Sequence, residues 1–513
     1  MTGASRPLIF TSLMLCSLGL AACSHRRARP IEQRTLMGNH VVEYEGAPSK
    51  LDPLPPANVP QHPYMAENGR SAMHVDSFCS NTYDTRGVKG VDPKVISDSM
   101  GVIGGECSTL NFDKQGRVLA LCVRKSRPAL RLIDPASLRE LAVYKLPRRN
   151  VRSLHVRKAM GDTGGGAYFY VDHEDRAVMG TSADEIQVVS VRVNARGREH
   201  FHVDESMDVS EALQHEGHSD HMTAVMPDWQ GHYWFAGRYG TVGVVDPGIA
   251  PKFLHLPGEQ IENSFSVGPD GVYIVSDHAL YRMERGPHGA PHVVWRVPYD
   301  RGTHRKVGQI NQGSGTTPSL LGDKYVAIAD NAEPRMHVLV YARDERDGAR
   351  PICQVPVFEP NRSATENSLI AYGNSLIVEN NFGYDLFLTM RHDRTSAPGV
   401  ARVDIRPDES GCDVRWSVDE ISQTVVPKMS TKTGLVYLYT KAPASYRDTE
   451  EFYLTALDFQ TGKPVFRVLT GTGMLFDNNW AELALAPDGK AFVGVLNGFL
   501  RVSDRTKPRY TSR

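Results

Sequence analysis

The 513-residue chain has no surplus of either charge: 58 Lys and Arg stand against 59 Asp and Glu. A nucleic-acid partner calls for a basic footprint, so none is expected. Beyond the first two dozen residues no apolar run is long enough to cross a bilayer. Sustained helical periodicity is missing too. Residues 211–215, EALQH, make the best short helical stretch, which leaves no basis for a helical fold. No G-x-S-x-G occurs, so acyl-enzyme chemistry at a serine elbow has no support. Gly164-Gly165-Gly166 and Gly471-Thr472-Gly473 do not stand between a strand and a helix, so neither is a phosphate cradle. Tryptophan is scarce, five in all, and no two cysteines adjoin.

What is present begins with a leader. Arg6 precedes an apolar stretch, residues 8–20, that closes on Leu20-Ala21-Ala22-Cys23. A charged start, a short apolar region and small residues before a cleavage site make a secretory signal peptide over 1–22. The Leu-Ala-Ala-Cys ending resembles a bacterial lipobox. That resemblance implies lipidation of Cys23, and Ser24 in place of Asp implies the outer membrane. Acyl chains on one cysteine hold a soluble body at a membrane surface. Residues 23–70, with the Pro-rich LDPLPPANVPQHP, read as a tether that runs extended over the surface. Residues 71–513 read as a single domain, periplasmic or surface-exposed.

Apart from Cys16 and Cys23, five cysteines remain, which suits an oxidising compartment. Cys107 and Cys122 stand equidistant from a turn at 113–116, which places them opposite each other on a hairpin. Cys353 and Cys412 occupy similar strand contexts and can staple adjacent repeats. Cys79 is then left over, unless it takes Cys107 instead; sequence does not set the connectivity.

Two apolar runs flanking a short Gly or Asp turn recur near 108–123, 167–192, 222–246, 263–283, 317–340, 367–388, 425–440 and 481–503. Repeats at this spacing predict an all-β fold, a β-propeller of four-stranded antiparallel blades. Eight repeats are counted. The first two are the least regular, so seven blades stays open. ALDFQTGKPVFRV (456–468) and RLIDPASLRELAVYKLP (131–147) resemble the outer strands of quinoprotein-like (PQQ-like) propeller repeats. VGPDGVYIVSD (267–277) is similar to repeats of the gluconolactonase and paraoxonase propellers. The quinoprotein resemblance implies the fold. Vicinal cysteines and tryptophan docking motifs, typical of redox quinoproteins, are missing, so bound PQQ is not expected.

One phrase is written twice. ENSFSVGPDGVYIVSD (262–277) and ENSLIAYGNSLIVENN (366–381) align without gaps, and TTPSLLGDKYVAIADN (316–331) joins them. Asn263, Thr317 and Asn367 then match, as do Asp277, Asn331 and Asn381. Each pair sits at the open end of a hairpin, and in a propeller such ends converge on one channel mouth. Carboxylates and amide oxygens are hard ligands that suit Ca2+. The gluconolactonase and paraoxonase resemblance implies a cation that polarises a lactone or ester carbonyl. Glu262, Asn263, Asp277, Asn331, Glu366, Asn367 and Asn381 are the expected ligands. The single N-terminal glutamate ligand of those families has no counterpart. Such side chains also cap strand ends and loops.

His215-Glu216-Gly217-His218-Ser219-Asp220-His221 is a second cluster, without the spacing of a closed zinc motif. By rough register His221 and Lys428 reach the mouth and are the candidate catalytic groups. Three functions fit: a metal-dependent hydrolase or lactonase acting on a small ligand, a non-catalytic propeller that binds a protein partner, and, last, a quinone-dependent oxidoreductase.

Overall fold

The computed structural model describes residues 29–30, 43–99, 105–124, 126–149, 165–214, 219–344, 350–385, 395–442 and 450–505. The leader, Cys23 and His215 to His218 lie outside them. Strands account for nearly all regular structure; the short helix Ser210–Leu213 sits on the stretch expected to be helical.

The strands form eight four-stranded antiparallel blades. Their innermost strands are Gly105–Phe112, Tyr170–Val171, Met222–Pro227, Ser266–Gly268, Ser319–Leu321, Ile370–Tyr372, Lys428–Ser430 and Leu483–Leu485, for blades 1 to 8. This is the predicted propeller, with eight blades. Blade 8 is shared between the two ends of the chain. Its three inner strands come from residues 483–503, and its outer strand is Lys94–Ser99, paired to Asn497–Ser503. Inner positions are buried throughout, as in Tyr325–Ala329, whereas outer strands such as Glu140–Lys145 show one wet face. Apolar side chains of neighbouring blades interdigitate, as Leu321, Val338 and Val340 of blade 5 do with Leu376, Ala401 and Val403 of blade 6.

Both expected disulfides form. Cys107 pairs with Cys122 across the first hairpin of blade 1, with Cα atoms 3.9 Å apart. Cys353 bonds Cys412, joining the outer strands of blades 5 and 6. Cys79 stays a buried free thiol.

Each innermost strand has an edge with no strand beyond it, and buried N–H groups there need acceptors. The chain's own N-terminal segment supplies them. Carbonyls of Arg70, Ser71, Ser77, Phe78, Ser80 and Asn81 accept from Phe112, Val171, Val267, Leu320, Ala371 and Met429, one donor on each of six blades. Thr82–Tyr83 then runs parallel to the inner strand of blade 7. Residues 62–83 thus plug the channel at the end where the inner strands turn, here called the turn face. The opposite end, where those strands begin, is the mouth face.

Residues upstream of the boundary expected at 71 are therefore already part of the propeller. Tyr44–Gly46 pairs with the outer strand of blade 7. Much of the Pro-rich stretch is exposed, and it is held against the blades. The Leu54 N–H donates to Thr431 at 2.7 Å, and the Pro55 carbonyl accepts from the Tyr372 hydroxyl at 2.8 Å.

Candidate functional site at the channel mouth

The loops that lead into the innermost strands bring polar side chains to the mouth face. In three blades a residue just past the second strand donates its N–H back to the segment entering the first: Arg238 to His221, Asp277 to Gln260 and Asn381 to Ala364. Asn331 donates instead to Asp300, just past the outer strand of blade 4. Arg238 is thus blade 3's counterpart of Asp277 and Asn381. Extending the repeat alignment one blade upstream is the signal that finds it.

The seven expected ligands do not meet at one point. Asp277 accepts from the Gln260 N–H at 2.7 Å and from Arg301 at 2.6 Å, and lies 2.9 Å from His278 Nδ1. Asn331 donates to the carbonyls of Arg301 and His304 at 3.0 and 3.1 Å. Asn381 accepts from the Glu366 N–H at 2.8 Å and donates to the Gln423 carbonyl at 3.0 Å. Asn367 donates to the Glu379 carboxyl and to the Thr424 and Val425 carbonyls. These four side chains tie loops together, which is the capping role open to such residues. Among the described residues no three His, Cys, Asp or Glu gather as a metal site would require.

The third aligned hairpin is one residue out of register on its first strand. Val267 and Ala371 donate to the plug, each four residues after Asn263 and Asn367; in blade 5 the donor is Leu320. Thr316, not Thr317, therefore takes the Asn position, and its hydroxyl accepts from Ala329 at 3.2 Å. The cause is a longer turn. Leu321 pairs with Tyr325, whereas Gly268 pairs with Gly271.

Glu262, Asn263 and Glu366 do share the mouth. Arg238 bonds Glu262 with one guanidinium nitrogen and the Asn311 side-chain oxygen with the other, at 2.8 Å. Asn263 accepts from the Tyr168 hydroxyl at 2.8 Å and donates to the Gly315 carbonyl. Glu366 is 7 % exposed, and neither carboxyl oxygen has a hydrogen-bond partner of ordinary geometry. Gly315 makes the space: a Cβ there would lie 2.6 Å from the Glu366 carboxyl carbon. Burial pushes the Glu366 carboxyl well above the carboxylate range, and the charge of Glu262 adds to this. The Ile310 backbone, Arg238 and Arg305 oppose it more weakly.

The two candidate catalytic groups are apart. His221, on blade 3, is half-buried and meets the Tyr239 ring edge-on at 5.7 Å. Lys428 is fully buried in blade 7, against the plug, bonded to the Met73 carbonyl and to Asn81 at 2.7 Å. Burial brings its ammonium down to about 8, although Glu482, Cys79 and Asp76 favour the charge. Rough register missed this depth because nothing in the local sequence marks the plug.

Chemically, the mouth holds two carboxyls in unlike surroundings. Glu262 faces a guanidinium; Glu366 faces none at bonding distance. Such a pair is the usual arrangement of an ionised group beside a proton donor.

No family model and no curated protein matches the chain. Solved structures do. A streptogramin B lyase aligns with 80% of this chain and 97% of its own length, at 9% identity and TM-score 0.37. Sqt1 from Chaetomium thermophilum aligns over 87% and 98%, at 12% identity and TM-score 0.42. The WD40 β-propeller domain of Doa1 aligns over 66% and 91%, at 12% identity and TM-score 0.35. Likeness this weak carries no argument about function, and the fold rests on the eight sheets themselves.

Proposed function

We propose that this chain is a lipid-anchored propeller of an extracytoplasmic compartment whose mouth binds a small polar ligand. Glu366 is the group that gives the ligand a proton or a hydrogen bond. The observation that carries the reading is the Glu366 carboxyl itself. It is buried, without a side-chain hydrogen-bond partner and with only the Ile310 backbone near it, and set beside an ion pair at the open end of a plugged channel. A buried polar group without a partner costs stability, and a ligand that bonds to it recovers that cost. A carboxylic acid kept neutral suits an acceptor such as a carbonyl or lactone oxygen. The leader and the two disulfides support the compartment.

The test is a screen of lactones, esters and small neutral carbonyl compounds against the mature chain, read by thermal shift and by hydrolysis. Wild type and Glu366→Gln are compared between pH 6 and 9. A hit should lose at least tenfold in affinity or rate in the variant. A ligand whose binding and turnover ignore the substitution places the site elsewhere.

A second reading keeps a divalent cation at the mouth, with Glu262, Glu366 and the Asn263 oxygen as its ligands. Two carboxylates and an amide from neighbouring loops favour it; the Arg238 guanidinium on Glu262 opposes it. Ca2+ should then raise the melting temperature of wild type, and the rise should vanish in Glu366→Gln. No shift with millimolar Ca2+ ends this reading.

A further inference from the structure

Where the plug passes blades 2, 3 and 4 it leaves an internal cavity of about 10 Å3, room for a single water-sized occupant. Met73, His74 and Cys79 of the plug line it, with Tyr168, Met226 and Ser264 of the blades. Three of the ten lining residues carry sulfur. His74 is 4 % exposed, and its Nε2 has no hydrogen-bond partner. Its Nδ1 lies 3.3 Å from the Asn81 side-chain oxygen and 2.9 Å from the Ser368 hydroxyl. The Asn81 oxygen also accepts from Lys428, and the Ser368 hydroxyl accepts from the Asn81 amide; in the tautomer with the proton on Nδ1, Nε2 keeps its lone pair. A hydrogen bond on the far nitrogen is how a metal-binding imidazole is held in its tautomer. Met226 stands at the same cavity, its sulfur 3.8 Å from the Ser264 hydroxyl.

We infer that this cavity is a Cu+ site, with His74 Nε2, Cys79 Sγ and the Met226 thioether as ligands and Met73 as a fourth. Thiolate and thioether sulfur are soft ligands that suit Cu+, while calcium takes oxygen. The cavity is sized for an ion rather than an organic molecule. Cys79 is the odd cysteine of a chain whose other described cysteines are paired; its thiol donates to the Phe265 carbonyl at 3.6 Å, a weak bond that ligation would replace. It sits at φ 54°, a left-handed conformation unusual for cysteine. Binding exchanges the thiol proton for the cation: Cys–SH and Cu+ give Cys–S–Cu and H+, with no change of oxidation state. Burial pushes the thiol well above its ordinary range, with Lys428 opposing. The cation supplies the positive charge that a buried thiolate needs. The plug and the blades contribute together, so the site exists only once the channel is filled. It is independent of the mouth reading.

The full mature chain, freed of metal and kept anaerobic, is titrated with Cu+ against a competing Cu+ chelator. One ion per chain is expected, held at least tenfold more tightly than by Cys79→Ser or His74→Gln. Circular dichroism and melting confirm that each variant is folded. X-ray absorption of the wild-type complex needs no variant and should show sulfur together with one imidazole nitrogen. Equal retention by wild type and a folded Cys79→Ser chain overturns the assignment, as do no retention by wild type and a sulfur-free coordination shell.

Discussion

Blades 4 and 6 open on the same three residues, Glu-Asn-Ser, and use them differently. In blade 4, Glu262 meets the Arg238 guanidinium, and Asn263 reaches across to Tyr168 and Gly315. In blade 6, Glu366 faces the space above Gly315 with no bonded partner, and Asn367 ties down Glu379 and the loop into blade 7. The triplet puts a carboxyl and an amide at the mouth; the preceding blade decides their charge and their task. Blade 3 offers blade 4 an arginine. Blade 5 offers blade 6 only a glycine.

The largest effect comes from removing what the two blades share. Ser77 and Ser80 of the plug accept from Val267 of blade 4 and Ala371 of blade 6. Deleting residues up to 83 should abolish cooperative unfolding, while a chain that starts at residue 43 should fold. Denaturant titration separates these outcomes. Arg238→Met makes blade 4 resemble blade 6 by taking the guanidinium away from a buried carboxylate. It should cost about 3 kcal/mol, and adding Glu262→Gln should restore most of that. Asn367→Ala should cost about 2 kcal/mol, since it strips two buried carbonyls of a donor and leaves the Glu379 carboxyl only Ser422 and Asn381, and more than Asn263→Ala.

The comparison also has a pH signature. Burial raises the Glu366 carboxyl, and it raises Glu106, Glu379 and Glu482 to about 8. A folded-state value above the unfolded one, near 4.5, means that the stabilisation is whole below about 4.5. It is lost as pH rises through about 8. Stability should therefore fall from pH 5 to 9. Glu366→Gln should be the more stable chain at pH 8.5, with little difference at pH 5. His74, pushed down to about 3 by burial and by Lys428, works in the opposite sense below pH 6.5 and sets the acid limb. The smallest effect is Asp277→Asn. Its partners Arg301 and His278 are each about a third exposed, so the loss should stay under about 1 kcal/mol.

Much of this fold can be read from the sequence, because its information is local. An apolar run, a Gly or Asp turn and a second run specify a hairpin. Eight of them specify the ring, and two cysteines equidistant from a turn specify their own bond. Residues 62–83 are legible only in three dimensions. GRSAMHVDSFCSNTYD has no period, and its carbonyls are bonded by strands distant in sequence, from Phe112 to Met429. His74, Cys79 and the depth of Lys428 were hidden with it. The blade 5 register failed for a smaller reason, one extra residue in a turn. Glu262 and Glu366 were visible as a pair. Their difference was not, because it lies in Arg238 and Gly315 of other blades.

The outer strand of blade 8 is made first, at Lys94–Ser99, and its partner last, at Asn497–Ser503. The ribosome therefore finishes both halves of the clasp only at the end of translation. A chain that stops early keeps two raw sheet edges and cannot close the circle. Closure is in this sense a check on length: only a chain carried through to about residue 500 hides its edges, and every shorter product advertises itself to proteases.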